Sequence, residues 1–358
     1  LSFTNKHPTC NLSQDERSAV TSTILAKYSS QDNLSLIISK YNEIILNTFY
    51  NRMDNQHIKN LVVNLPKEEN LGTIDLVLEA GAANGSYEIG CLLYLKELEK
   101  QNKIKIDRIS GSSIGAISGF YYFTDTLDKF QEDYLLLTKC FKQHLNVHIL
   151  KEILEKKFEK LSDENIQELN DKLFIVYHDA EQKKQVLRKS YENKEDLLGC
   201  LLKTSHLPYL VTQNSLCFKE KNKFYIDGGI PHIFENRDNY DKKILYISIL
   251  GLLDLKGMFS VKKEKNNYGR LLTGALDIHN FILYNNSKFC SYVNNWKIND
   301  FAILRVKQFI IKILVLIIIY LHFFGSFIYP FVQNTTIYNH LSPLLFNFYR
   351  DCLLFYCL

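Results

Sequence analysis

The 358-residue chain sets 43 Lys and Arg against 39 Asp and Glu, and its net charge of +4 is dispersed, with no basic run interleaved with aromatics, which excludes a nucleic-acid-binding footprint. With 46% hydrophobic residues it can bury a substantial core, and one large α/β domain with appended segments is the natural reading of this length. Eight cysteines (Cys10, Cys91, Cys140, Cys200, Cys217, Cys290, Cys352, Cys357) follow neither CxxC nor metal-ligand spacing, so they read as reduced packing thiols, with no metal or cofactor implied.

The first 70 residues contain no apolar signal-peptide run, although a chain numbered from Leu1 rather than Met leaves room for an upstream segment. Ser13-Gln14-Asp15-Glu16 has a capping-box pattern, and residues 16–28 and 34–50 have helical spacing, so a helical flank over 1–70 is expected. Thr73 to Leu78 then reads as a buried strand, followed by the small-residue loop Glu79-Ala80-Gly81-Ala82-Ala83-Asn84-Gly85 and a helix over residues 86–101. Such a loop leaves backbone N–H groups available as an oxyanion hole for a tetrahedral intermediate. It is neither a Walker loop nor a dinucleotide fingerprint, because the required Gly-Lys-Ser/Thr and spaced glycines are missing.

Gly111-Ser112-Ser113-Ile114-Gly115 follows an apolar run ending near Ile109 and precedes a helical run through Phe123. This is the pattern of a nucleophile elbow: Gly111 and Gly115 let the turn close, and Ser113 is presented at a helix N-terminus, where developing negative charge is favoured. Residues 127–143 and 150–170 read as charged helices with solvated faces, and 172–177 and 183–189 as strands about a polar turn near Asp179. Residues 222–230 form a short strand ending in Asp227-Gly228-Gly229, which delivers a carboxylate able to act as base for Ser113, and 243–249 is a further strand. A rival Ser-Asp-His triad using His232 or His279 fits less well, because no His-Gly-Gly loop precedes Ser113.

From Ile313 to Val332 the chain is almost wholly apolar, long enough to span a bilayer. Arg305, Lys307 and Lys312 lie on its N-terminal side and no further Lys or Arg occurs before Arg350, which places the upstream domain on the cytoplasmic face. His322, Gly325, Ser326 and Pro330 leave open a re-entrant hairpin with residues 341–358 as an amphipathic return.

Over residues 74–249 these motifs, in this order, resemble the patatin-like phospholipases, serine lipid acyl hydrolases. Gly85-Ser86-Tyr87-Glu88-Ile89-Gly90 and Thr204-Ser205-His206-Leu207-Pro208 are similar to the family as well. The resemblance implies a three-layer α/β/α sandwich of the patatin type, Ser113 as nucleophile, Asp227 as general base without a histidine, and oxyanion donors at Gly81, Ala82 and Ala83. The family loop has three consecutive glycines, a variable residue, a basic residue and a glycine; Ala80, Ala82 and Asn84 depart from it here. If the loop needs left-handed backbone at Ala80 or Ala82, an alanine Cβ strains it. The expected organisation is a helical flank (1–70), a catalytic domain (71–255), a helical connector (256–308) and a membrane-associated segment (309–358). The expected substrates are membrane lipids, and the alternative is an inactive, membrane-tethered relative that binds lipid or a protein.

Overall fold

The computed structural model describes residues 56–65, 71–211, 215–235, 242–249 and 267–357. The capping box at 13–16 and the helical runs at 16–28 and 34–50 lie outside the described residues; of the expected flank, a helical stretch over 57–63 is described, and its Ile58 and Val62 enter the core.

Apolar runs without alternation are the signature of strands buried on both faces, as parallel strands are. Accordingly β1 (Thr73–Leu78) and β2 (Lys105–Ser112) pair in parallel, with β3 (Leu173–Asp179) parallel beside β2 and β7 (Lys243–Ile247) parallel beside β1. Antiparallel strands complete an eight-stranded sheet: β4 (Lys184–Arg188), β5 (Phe218–Glu220) and β6 (Lys223–Asp227) at one side, and β8 (Cys290–Tyr292) against β7 at the other. The segment expected as a helical connector is therefore not wholly helical, since β8 extends the sheet from within it and the long C-terminal helix begins before residue 309.

Pleating divides the core. Ile74, Leu76 and Leu78 face the main cluster, which is closed by α1 (Gly85–Lys100), α2 (Ile114–Phe123), α3 (Phe130–His144), α4 (Leu150–Phe158), the short α5 (Asp163–Gln167), α6 (Lys194–Thr204) and α7 (Asn267–Tyr284). Val77 points the other way, into a cluster with Phe174, Phe234, Ile244, Tyr246 and Val293. The crossing of α1 and α7 is unusually close: a Cβ on Gly274 would overlap the Tyr87 carbonyl, and one on Gly90 the Leu271 carbonyl. Close approach of this kind demands glycine on both helices.

Two helices end the chain. α8 (Ile298–Val332) buries Leu304, Val315 and Ile319 on one face, the latter two packed with Ala180, Cys217 and Ile226. α9 (Thr336–Cys357) follows after a three-residue turn. Cys91, Cys140, Cys200, Cys217, Cys290 and Cys352 are free thiols.

Candidate active site

Sheet register assembles the site. Ser112, the last residue of β2, pairs with Val176, and Asp227, the last residue of β6, pairs with Tyr177. Strand β4 occupies one edge of β3 over residues that also pair with β2 and β6, so β2 and β6 share the other edge and run toward each other along it. Residues about 110 apart in sequence, Ser113 and Asp227, are thereby brought to one point.

Ser113 caps α2 with φ 54° and ψ −124°, a strained backbone for a residue with a side chain. The elbow is held from two sides. A Cβ on Gly115 would run into the carbonyls of Leu78 and Glu79, so the glycine lets the elbow seat directly on the end of β1. The Ser113 N–H donates to the hydroxyl of Thr204 (2.9 Å), which itself donates to the Val176 carbonyl (2.5 Å). The Ser113 residue is 6% exposed.

Asp227 is partly exposed as a residue, but Oδ1 accepts from the Gly229 N–H (2.7 Å), and Oδ2 is shut off from solvent with no satisfied hydrogen bond. Burial drives its pKa up to about 7, opposed in smaller measure by the Ser113 hydroxyl, which lies within interaction range, and by the Gly229 N–H. A carboxylate so poised is a candidate proton acceptor at neutral pH. His178 Nδ1 lies 3.0 Å from the Asp227 main-chain carbonyl and steadies the turn from behind.

The loop after β1 turns as a 3₁₀ segment, Ala82–Asn84, that runs straight into α1. The first N–H groups of such a helical run have no intrahelical acceptor, and those of Ala82 and Ala83 occupy this position. Ala82 adopts φ 44°, so the left-handed backbone expected to strain an alanine falls at this residue; Ala80 is not among the positive-φ residues. Gly81 is needed for space, since a Cβ there would clash with the Ile249 side chain.

Sequence reasoning missed what holds this loop. Arg270, from α7, donates to the Ala83 carbonyl and to Asn84 Oδ1, both at 3.0 Å, while Asn84 Nδ2 donates to the Ile249 carbonyl (3.2 Å). A guanidinium from a distant helix thus reaches the loop whose own basic position is an asparagine, and the glycine crossing of α1 and α7 sets the separation at which it does so. Glu79, just before the loop, is completely buried and receives the Tyr246 and Ser248 hydroxyls (2.8 and 2.7 Å) and Lys307 Nζ of α8 (3.0 Å). No local motif announces either partner, because both lie beyond the resemblance.

Ser113, Ala82 and Ala83 open on a cleft of about 870 Å³ lined by apolar side chains including Ile117, Leu137, Phe141, Leu210 and Val211. Neither histidine of the rival triad is placed there. His279 is hydrogen-bonded to the Tyr94 hydroxyl (2.8 Å), and His232 stacks on Phe174 and meets Phe234 edge to face. Among the described residues no group of His, Cys, Asp and Glu is arranged to hold a metal ion.

Strand, serine elbow and helix on a mixed sheet place the protein among the α/β folds built around such an elbow. Residues 76–236 match the model of the patatin-like phospholipase family. No curated protein gives a significant match to the chain.

Proposed function

We propose that the protein hydrolyses acyl esters of membrane phospholipids or lysophospholipids through an acyl-serine on Ser113, with Asp227 as general base. The observation that carries this reading is the convergence of β2 and β6 on one edge of β3, which sets an enclosed carboxylate with a pKa of about 7 beside a strained serine facing an apolar cleft. In the first step Ser113 Oγ attacks the ester carbonyl while its proton passes to Asp227, and the oxyanion is received by the Ala82 and Ala83 N–H groups. As the tetrahedral intermediate collapses, the alcohol oxygen leaves with the proton from Asp227. Water then attacks the acyl-serine by the same route, Asp227 taking its proton and returning it to Ser113. Apolar lining without a charged residue suits an acyl chain.

Membrane attachment is supported by α8, 35 residues long, apolar enough to cross a bilayer and with 11% of its most apolar window buried. Contacts favour a shallow helical hairpin over a crossing. Lys183 Nζ reaches the Tyr320 hydroxyl (3.1 Å) and Phe224 packs on His322 at 4.5 Å, so the domain accompanies α8 to about that level. The remainder, residues 324–332, is about 13 Å of helix, short of the roughly 20 residues a crossing takes. α9 then turns back, with Tyr338 against Tyr329 and Tyr349 against Tyr209, beside the cleft-lining Leu210 and Val211. The hairpin brings the cleft mouth to the lipid, and Arg305 and Lys312 fit the cytoplasmic leaflet, Lys307 being turned inward to Glu79.

The test is fatty-acid release from mixed phospholipid vesicles by the full chain, wild type against Ser113→Ala and Asp227→Asn, with a calcium chelator present. Release that persists under chelation and disappears in both variants is expected. Folded, vesicle-bound wild type that releases nothing, and whose Ser113 is not labelled by a fluorophosphonate, would leave a lipid-binding, inactive relative.

A further inference from the structure

A second cleft, of about 1050 Å³, lies between α8, the β3–β4 turn and the residues following Asp227. Four cations line it: Lys183 and Lys184 from the turn, Arg305 and Lys312 from α8. No carboxylate lines it, and among the described residues none of the four is in a salt bridge. Among the described residues their polar contacts are to neutral groups: Lys183 to the Tyr320 hydroxyl, and Arg305 Nη1 to Gln308 Oε1 (2.9 Å). His178 also lines the cleft, and burial, reinforced by the charge of Lys312 and opposed by its bond to the Asp227 main chain, lowers its imidazole pKa. Four like charges gathered without a counter-charge repel one another, and an anion relieves that repulsion.

Placement along α8 narrows the anion. At about 100° per residue, Arg305, Gln308, Lys312 and Leu316 share one flank of the helix. Val306, Ile310, Ile313, Ile317, Leu321 and Phe324 form the exposed apolar face beside that flank. The buried face, with Leu304, Ile311, Val315 and Ile319, lies against the domain. When the apolar face meets hydrocarbon, the cationic flank stands at head-group depth. Further along the helix the same cleft becomes apolar at Val315, Leu316 and Ile319, as a polar head joined to an acyl chain requires.

We propose that this cleft binds the phosphate head group of an anionic membrane lipid, with Lys183, Lys184, Arg305 and Lys312 as its ligands. The site is separate from the apolar cleft in front of Ser113, and the proposal rests on the membrane-attached reading of α8 but not on catalysis. Gly228 and Ile230 form one wall, so an occupied cleft abuts the turn that carries Asp227.

The experiment uses the full chain with Ser113→Ala, which removes turnover, bound to vesicles of phosphatidylcholine alone or with 20% phosphatidic acid, about a fifth being enough to present a charged surface. Binding to neutral vesicles tests attachment by α8 and α9. The increase with phosphatidic acid tests the cleft. Lys183→Gln/Lys184→Gln/Lys312→Gln is expected to retain neutral-vesicle binding while losing roughly a hundredfold of affinity for the anionic vesicles, the size expected for three near-surface cations. An equal removal of charge elsewhere, Lys139→Gln/Lys142→Gln/Lys156→Gln on α3 and α4, is expected to leave the preference in place. Inorganic phosphate at millimolar concentration is expected not to compete, because it lacks the chain that occupies the apolar end. Equal loss in both triple variants would show diffuse attraction and overturn the site. Full competition by inorganic phosphate would overturn the lipid as its ligand, and failure to bind any vesicle would sink the attachment reading instead.

Discussion

Asp227→Asn is expected to stabilise the protein while disabling it. The carboxyl pKa rises from an ordinary 3.8 to about 7 in the folded state. A group raised in this way contributes stability that is fully present below its unfolded pKa and is lost as pH rises through the folded value, because above pH 7 the fold must hold a charge that the unfolded chain holds in water. The rise from 3.8 to about 7, at roughly 1.4 kcal/mol per tenfold, gives about 4 kcal/mol as a ceiling, and roughly half of that once the partial exposure of the residue is allowed for. Asparagine keeps the shape and the acceptor for the Gly229 N–H without ionising. Denaturant unfolding of the full chain in detergent should show wild-type stability falling relative to the variant between pH 4 and pH 8, with the variant roughly 2 kcal/mol ahead at pH 8. In parallel, wild-type kcat/KM should climb with pH through about 7 to an alkaline plateau, with the variant lower by about 10²–10⁴. A variant less stable than wild type at pH 8, or a kcat/KM inflection near pH 4, would refute the reasoning.

Ala82→Gly should relieve the φ 44° strain; set against the extra entropy of glycine in the unfolded chain, the net gain is at most about 1 kcal/mol, read as an upward shift in Tm with activity held or raised. Arg270→Gln should lower kcat by about 10- to 100-fold with KM little changed, since the loop proposed to receive the oxyanion drifts while the apolar cleft stays, and Arg270→Lys should recover part of the loss; a change confined to KM would count against a positioning role. Lys307→Met removes the cation from a fully buried Glu79 and should cost about 3–5 kcal/mol, most of it regained in Lys307→Met/Glu79→Gln; a single variant as stable as wild type would show the pair to be dispensable.

The elements and the order of the motifs were legible because each rests on local chemistry. β1 is read to the residue from its apolar run, and α1 begins one residue before its expected start. The elbow is read from two glycines and a serine, and the structure gives Ser113 the strained backbone that such a turn needs. What was not legible depends on distant segments. The charged stretch over 150–170 divides into α4 and α5, because Ser162 and Asn165 form a capping box that starts a new helix. Thr204 stood in a segment noted only for its resemblance, and its hydrogen bond to the Ser113 N–H spans 91 residues. Arg270 and Lys307 have no local signature at all; each acts through a guanidinium or ammonium delivered by a helix whose position is decided by glycine crossings or core packing. The departures at Ala80, Ala82 and Asn84 were visible in the sequence, but the hydrogen bonds from Arg270 to the loop were not, since they require knowing which helix lies beside it.

The face of α8 that packs on the domain touches the site from two sides. Lys307 meets Glu79 at the entrance to the loop that carries Ala82 and Ala83, and one turn later Ile311 lies so close to Gly229 that a Cβ there would overlap it, next to the carboxylate of Asp227. Two strand ends of different origin, β1 and β6, are therefore spaced by a single rigid helix. That helix also carries the exposed apolar face, so the geometry of the serine, the acid and the loop is tied to the element proposed to meet the lipid. Removing all of α8 and α9 to obtain a smaller domain would strip the cation from Glu79 and the packing from Gly229 together, and the domain left behind would be missing part of the scaffold on which its site is built.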